Sequence, residues 1–307
     1  MPTQFSFCGH ETFSLRLNWL KKAVDIVHKK SDIFNSDSAI VQFGVGKNMV
    51  RSIRHWSLAT EIIEKDPAST KHNIYRVSEF GNYLFGRQGV DPYCEDTATL
   101  WLLHWLLCCS TDHSTLWHFV FGHWRGGSLE LRTLKPALQK WLEDRNSSLP
   151  SDTTLKRDFQ CLIHTYVPKH RPKSYLENIV EFALVSLGLV FEDSGSIYLH
   201  QGHSQNLPPE IFAYTVLDYW NRNFQEVNTL SVKNVLMHRA SPGQIFLLSE
   251  EHAFQLVTQI EAFEDPPFRF DSTAGIHQFY RMPHVQPKDM LERYYRHAHA
   301  RLADTSE

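Results

Sequence analysis

Apolar residues fall at helical spacing from near the start of the chain. Across TFSLRLNWLKKAVDIVH, Phe13, Leu17, Leu20, Val24 and Val27 are separated by four, three, four and three positions. That spacing lines one face of an α-helix, so a helix is predicted over residues 12–28 with Thr12 as its N-cap. A polar connection, SDIFNSDS, leads to a short helix over 38–43. Gly44 and Gly46 break it, and a third helix is predicted from Lys47 to about Ile63. NIYRVSEFGNYLFG then reads as a strand over Tyr75–Val77 and a short helix capped by Ser78 and ending near Gly86. Helix, helix, turn, helix, strand, short helix is the order of a winged helix-turn-helix module.

The next stretch, residues 91–124, is dense in tryptophan, leucine and histidine and predicts two packed helices, the second broken by Gly126 and Gly127. TLKPALQKWLEDRN predicts another helix. TLKRDFQCLIHTYV predicts a basic one, capped by Asp152 or Thr153, and LENIVEFALVSLGLV a further one ending at Gly188. LVFEDSGSIYLHQG reads as a hairpin turning at Asp193–Ser196. This repeats the first order more loosely. Beyond LPPEIFAYTVLDYWNRN the pattern is helical, with SPGQIFLLSE read as turn, strand and helix cap. EEHAFQLVTQIEAF reads as a helix, FRFDSTAGIHQFYR as a strand pair and 287–302 as a closing helix. No βαβ periodicity appears, which argues against a doubly wound sheet. The predicted fold is mainly α with small β wings: tandem winged helix-turn-helix-like modules over 1–90 and 91–206, and a helical C-terminal part over 207–307.

Composition supports globular cores: of 307 residues, 42% are hydrophobic and 13% aromatic. No basic start followed by an apolar run is present, and LWLLHWLLCC is too short for a bilayer span. The five cysteines have no CxxC spacing. A cytoplasmic protein with reduced thiols and no membrane association is expected. The net charge of −3 hides a segregation. Residues 1–90 hold twelve Lys+Arg against eight Asp+Glu, and residues 151–173 five against two. Residues 174–307 hold nine against seventeen. Polyanions respond to local patches, so the two basic stretches point to DNA and the acidic C-terminal part to a protein partner.

FGVGKNMVRSIRHW decides between a phosphate loop and a reading helix. A phosphate loop needs glycine at position 41 and a hydroxyl at 48, where Val41 and Asn48 stand. No nucleotide is therefore expected. At 100° per residue Lys47, Arg51, Arg54 and His55 share one helix side, and Met49, Ile53 and Trp56 the other. The basic side, with Asn48 for a base edge, suits double-stranded DNA. A solvated basic face is the alternative. Lys156 and Arg157, with Lys169, Arg171 and Lys173 after them, offer a second phosphate-contacting stretch or a merely solubilising one.

CGHETFSLR is the candidate for chemistry. His10 or Glu11 could act as general base or metal ligand, and Arg16 could stabilise a phosphate oxyanion. The alternative is a cap and salt-bridge arrangement. Asp91, Glu95 and Asp96 could hold Mg²⁺ or Mn²⁺, or Asp96 could cap the helix near Thr97. His113, His118 and His123 recur every five positions and match no zinc spacing, so no zinc is expected.

GHETFSLRLNWLKK, FGVGKNMVRSIRHW, TLWLLHW, SDTTLKRDFQCLIHTYV and SPGQIFLLSE, in that order, resemble the SspB-like family encoded beside DNA phosphorothioation genes. The resemblance covers nearly the whole chain. It implies a DNA nickase acting with a sulfur-transfer enzyme and an ATPase to replace a non-bridging phosphate oxygen with sulfur. It also leaves room for a divalent metal and a homodimer. It carries over to His10, Glu11, Thr12, Phe13 and Arg16, and to Gly44, Gly46, Lys47, Asn48 and Arg51. The chain departs from the family pattern around LENIVEFALVSLGL. A non-catalytic DNA-binding scaffold or transcriptional regulator is the second reading, and a structural adaptor the third.

Overall fold

The computed structural model describes residues 5–168, 183–273 and 276–304. It is mainly helical with small antiparallel sheets. Two compact units divide the chain, Met1–Leu199 and His200–Glu307. The first takes in the predicted segment 1–90 and nearly all of the segment 91–206.

The first unit begins with α1 (Leu17–Val27), α2 (Ala39–Phe43) and α3 (Lys47–Ala59). The hairpin β1–β2 (Ile63–Lys65, Tyr75–Val77) and α4 (Glu79–Phe85) follow. α1 packs against α3 and α4, and Leu20, Ala23 and Val24 of α1, Ile53 and Trp56 of α3 and Leu84 of α4 are all buried. Gly44 closes α2 in the left-handed region at φ +59°, a conformation that glycine adopts without steric cost. Ser78 caps α4 by accepting the Gly81 amide at 2.8 Å.

The predicted start of α1 is corrected. Thr12 is no N-cap; its φ is +70°, and the helix begins five residues later behind Arg16. α3 stops at Ala59, and β1, which lacks an alternating pattern of its own, pairs with β2.

Around this lie α5 (Thr97–Cys109), α6 (Thr115–Gly122), α7 (Leu131–Glu143), α8 (Asp152–Tyr166) and the hairpin β3–β4 (Val190–Asp193, Ser196–Leu199). α5 is buried from Ala98 to Cys108 because it is apolar on every side. Full burial of a leucine contributes about 1.5–3 kcal/mol, and Leu102, Leu103 and Leu107 are all inaccessible. His104 is tolerated there because its Nδ1 meets the Tyr166 hydroxyl at 2.7 Å. Ser151, one residue before the predicted cap, caps α8. The first seven residues of the predicted helix over LENIVEFALVSLGLV, like Lys169, Arg171 and Lys173, lie outside the described residues; the rest is no α-helix but a 3-10 turn over Val185–Leu187 that ends at Gly188, φ +64°.

The second unit contains α9 (Pro209–Asn223), α10 (Val232–Leu236), α11 (Pro242–Ile245), α12 (Glu250–Glu261) and α13 (Pro287–Asp304). Its sheet orders β5 (Thr229–Ser231), β7 (Ile276–Arg281) and β6 (Phe268–Thr273). α9 packs on α12 and α13. SPGQIFLLSE forms the short helix α11 and not a strand: Pro242 suits a first helical turn, and the run turns back at Leu247, φ +53°. No described helix is long and apolar enough to cross a membrane.

Candidate nucleic-acid interface

The stretch CGHET is a knot that ties two basic helices together. Cys8, Glu11 and Thr12 all have positive φ, +61°, +50° and +70°. Such positions cost on the order of 1–3 kcal/mol each and persist only where surroundings over-determine them. The determinants are specific. Asp158 of α8 accepts the Cys8 amide at 2.6 Å and meets His10 Nε2 at 2.8 Å, all but buried. The Thr12 amide donates to His10 Nδ1 at 3.1 Å. With Nδ1 accepting, the ring proton sits on Nε2 and is donated to Asp158.

The other side of the knot faces α3. The His10 ring lies nearly parallel to Trp56, with centroids 5.8 Å apart. A Cβ on Gly9 would lie 2.4 Å from His55 Nδ1, so only glycine lets the segment approach this closely. Trp56 Nε1 donates to the Phe13 carbonyl at 3.0 Å. Glu11 reaches outward and meets Arg51 at 3.3 Å, both side chains partly exposed.

The predicted reading face of α3 is therefore corrected at one position. Lys47, Asn48 and Arg51 are exposed, and Arg54 is half-buried beside Tyr75. His55, expected outward with them, is buried under the knot at 6% exposure. The helical wheel assumed one packed side, but α3 is covered both by α1 and by Cys8–Thr12. Burial above all, with the nearby His10, His113 and Arg54, holds the His55 ring well below its usual pKa of 6.5. It is neutral at pH 7.

On α8, Lys156 and Arg157 are exposed while Asp158 points inward. Arg157 is near enough to act electrostatically on Cys8. The knot thus brings together Glu11 and Arg51 on one side and Arg157 on the other. Arg16 takes the N-cap position of α1 without a side-chain cap bond, its guanidinium 5.1 Å from the Trp19 ring centre.

His10, 1% exposed and engaged through both nitrogens, holds the knot and offers no free lone pair to a substrate. The Cys8 thiol is pushed up to about 12, first by burial and then by Asp158. It donates to the Thr154 carbonyl at 3.4 Å and is no activated nucleophile.

Among the described residues, Cys8, His10 and Asp158 form a group whose donor atoms lie within 4.8 Å of one another. Mg²⁺ takes oxygen ligands. One sulfur, one nitrogen already committed as a donor, and one shared oxygen do not fit it. Of the carboxylates at 91–96, Glu95 is exposed and the two aspartates are committed. Asp96 caps α5 by accepting the Ala98 amide at 2.8 Å. Asp91 accepts the Glu95 and Asp96 amides and the Thr99 hydroxyl. The five-residue histidine spacing holds a surprise, because α6 ends at Gly122: His118 and His123 meet at 3.1 Å between their Nε2 atoms.

Asp158 and Gly9 were not singled out from the sequence. Asp158 carried a readable signal. It falls between Leu155 and Leu162 on the apolar face of its helix, where a carboxylate needs a buried partner.

A family profile described as protein of unknown function DUF4007 matches residues 7–295. The chain belongs to that family. Two solved structures of SspB, one with magnesium bound, superpose with TM-scores of 0.84 at 26% identity, covering 94% of this chain and 88% of theirs. No curated protein matches. The family match and these neighbours fit an SspB-like protein, and they agree with the resemblance carried by the GHETF and FGVGKN motifs.

Proposed function

We propose that this protein is the DNA-contacting, strand-nicking component of a DNA phosphorothioation system. The observation that supports it most is the exposed basic run of α3, Lys47, Asn48 and Arg51, in a chain similar to SspB over 94% of its length. α1 to α3 followed by the β1–β2 hairpin read as a winged helix, with α3 entering the major groove. α8 with β3–β4 reads as a looser second module. Lys47, Arg51 and Arg54 contact phosphates, as do Lys156 and Arg157, while Asn48 reaches a base edge. Glu11, the outward carboxylate of the knot, stands where it can take a proton from an attacking water, and His10 fixes its backbone. A sulfur-transfer enzyme and an ATPase are the partners this role requires.

One observation favours a second reading, a DNA-binding scaffold without nuclease activity. The cluster Cys8, His10 and Asp158 lacks the set of oxygen donors that a Mg²⁺-dependent nuclease uses, and Asp91 and Asp96 are already engaged by backbone amides. Supercoiled plasmid separates the two. A nickase converts it to open circle with Mg²⁺ or Mn²⁺ and stops on EDTA addition. A scaffold retards a duplex in a gel and leaves the plasmid closed. If the duplex is neither shifted nor cut, both readings fail.

A further inference from the structure

α1 borders a second surface that this reading leaves unused. A cleft of about 550 Å³ lies between the C-terminal half of α1, the end of α4 and the segment Gly86–Tyr93. That volume falls in the range of small-ligand pockets, roughly 300–1,000 Å³. Three fixed cations line it, Lys21, Lys29 and Arg87, against one carboxylate, Asp25. Lys21 already closes on Asp25 at 2.5 Å. Among the described residues neither Lys29 nor Arg87 is in an ion pair. The cleft is therefore positive by two uncompensated charges.

Tyr93 stands on its rim, 70% exposed. The turn that presents it is pinned on both sides. The Val90 and Asp91 amides donate to the Tyr83 and Leu84 carbonyls at 3.0 and 3.3 Å. Beyond the tyrosine, the nearly buried Asp91 carboxylate gathers the Glu95 and Asp96 amides. An aromatic ring held out from a braced turn is a flat platform ready before any ligand arrives, beside Asn82 with its amide donor and acceptor.

We infer that the cleft is a subsite for one nucleotide of an unpaired DNA strand, with the base stacked on Tyr93 and its phosphate between Lys29 and Arg87. A π platform with cations suits single-stranded nucleic acid without sequence preference. Bases inside a duplex already stack on both faces and have none to offer the ring. The inference rests on the DNA reading above and extends it to the strand released when a duplex is opened or cut. α1 links the two surfaces. Lys22, next to Lys21, places its Nζ 3.9 Å from where a Cβ on Gly44 would stand, in the turn that leads into α3.

Fluorescence anisotropy on the full chain tests it, using a labelled thymidine oligomer and a labelled duplex. Tyr93→Ala is expected to weaken oligomer binding about tenfold, and Lys29→Ala with Arg87→Ala to weaken it further. Both leave duplex affinity unchanged, and Tyr93→Phe restores the oligomer. Lys47→Ala with Arg51→Ala is expected to have the converse effect, loss of duplex binding with oligomer binding intact; duplex affinity unchanged in that variant sinks the α3 reading and spares this one. Wild-type oligomer affinity in Tyr93→Ala and in the double variant overturns the subsite. Displacement of the oligomer by thymidine 5′-monophosphate at equal nucleotide concentration overturns the strand assignment in favour of a free nucleotide.

Discussion

Asp158 carries more of the site than any other side chain. It is the acceptor for two donors, the part-buried Cys8 amide and the buried His10 Nε2. Asp158→Ala orphans both, at a cost on the order of 1–3 kcal/mol each. Urea unfolding is expected to show that loss, together with weaker duplex binding, because Glu11 and Arg51 are positioned by the same segment. A variant as stable as wild type would mean that the knot is not held by this carboxylate. His55 makes a separate prediction about pH. Its folded-state pKa is depressed by burial, and His118, also mainly through burial, shifts in the same direction. The unfolded chain takes up protons near pH 6.5, while the folded chain does so only at lower pH. Stability therefore holds above about 6.5 and falls as pH drops below it, by up to about 1.4 kcal/mol per pH unit for each such ring. The urea midpoint should decline from pH 7 to 5, less steeply in His55→Gln. A midpoint flat over that range would show a histidine that titrates as it does in water.

At the scale of elements, α3 has two jobs that its sequence displays unequally. Its N-terminal turn and a half exposes Lys47, Asn48 and Arg51, while its centre is clamped between α1 and Cys8–Thr12. Lys47→Ala with Arg51→Ala should flatten the dependence of log affinity on log salt by roughly two, at about 0.9 per lost phosphate contact. Affinity should fall alike on unrelated duplexes, and an unchanged slope would remove this helix from the interface. Most of its neighbours were legible because local chemistry and packing agree: the 3.6-residue rhythm of α1, the Ser78 cap of α4, the uniformly apolar α5 and the Ser194–Gly195 turn of β3–β4. Periodicity failed where a distant segment decided. Thr12 has the residue type of a cap but is bent left-handed by His10 and Asp158. His55 lies on the polar side of the wheel but under Gly9. β1 is a strand only because Tyr75–Val77 pairs with it. The knot joins residues 150 positions apart, and no window on the sequence reads across that distance except through Asp158, a charge on an apolar face.

The whole molecule carries a net charge of −3, which by itself repels DNA. The two units divide that charge unevenly. The first holds 22 Lys+Arg against 21 Asp+Glu, the second nine against thirteen. At physiological salt the Debye length is about 8 Å. Exposed acids farther than that from a bound phosphate are screened, so affinity should follow the local patch on α3 and α8 and ignore the total. Glu250 and Glu251 test this. Both are exposed in the first turn of α12, in the second unit. Glu250→Gln with Glu251→Gln raises the net charge by two and leaves every proposed contact in place. At 150 mM salt, duplex affinity and its salt slope should stay within twofold of wild type, while at 10 mM, where screening reaches about 30 Å, affinity should rise. A gain at 150 mM as large as the loss caused by Lys47→Ala with Arg51→Ala would mean that DNA runs beside the second unit, and that the interface is wider than the knot and its two helices.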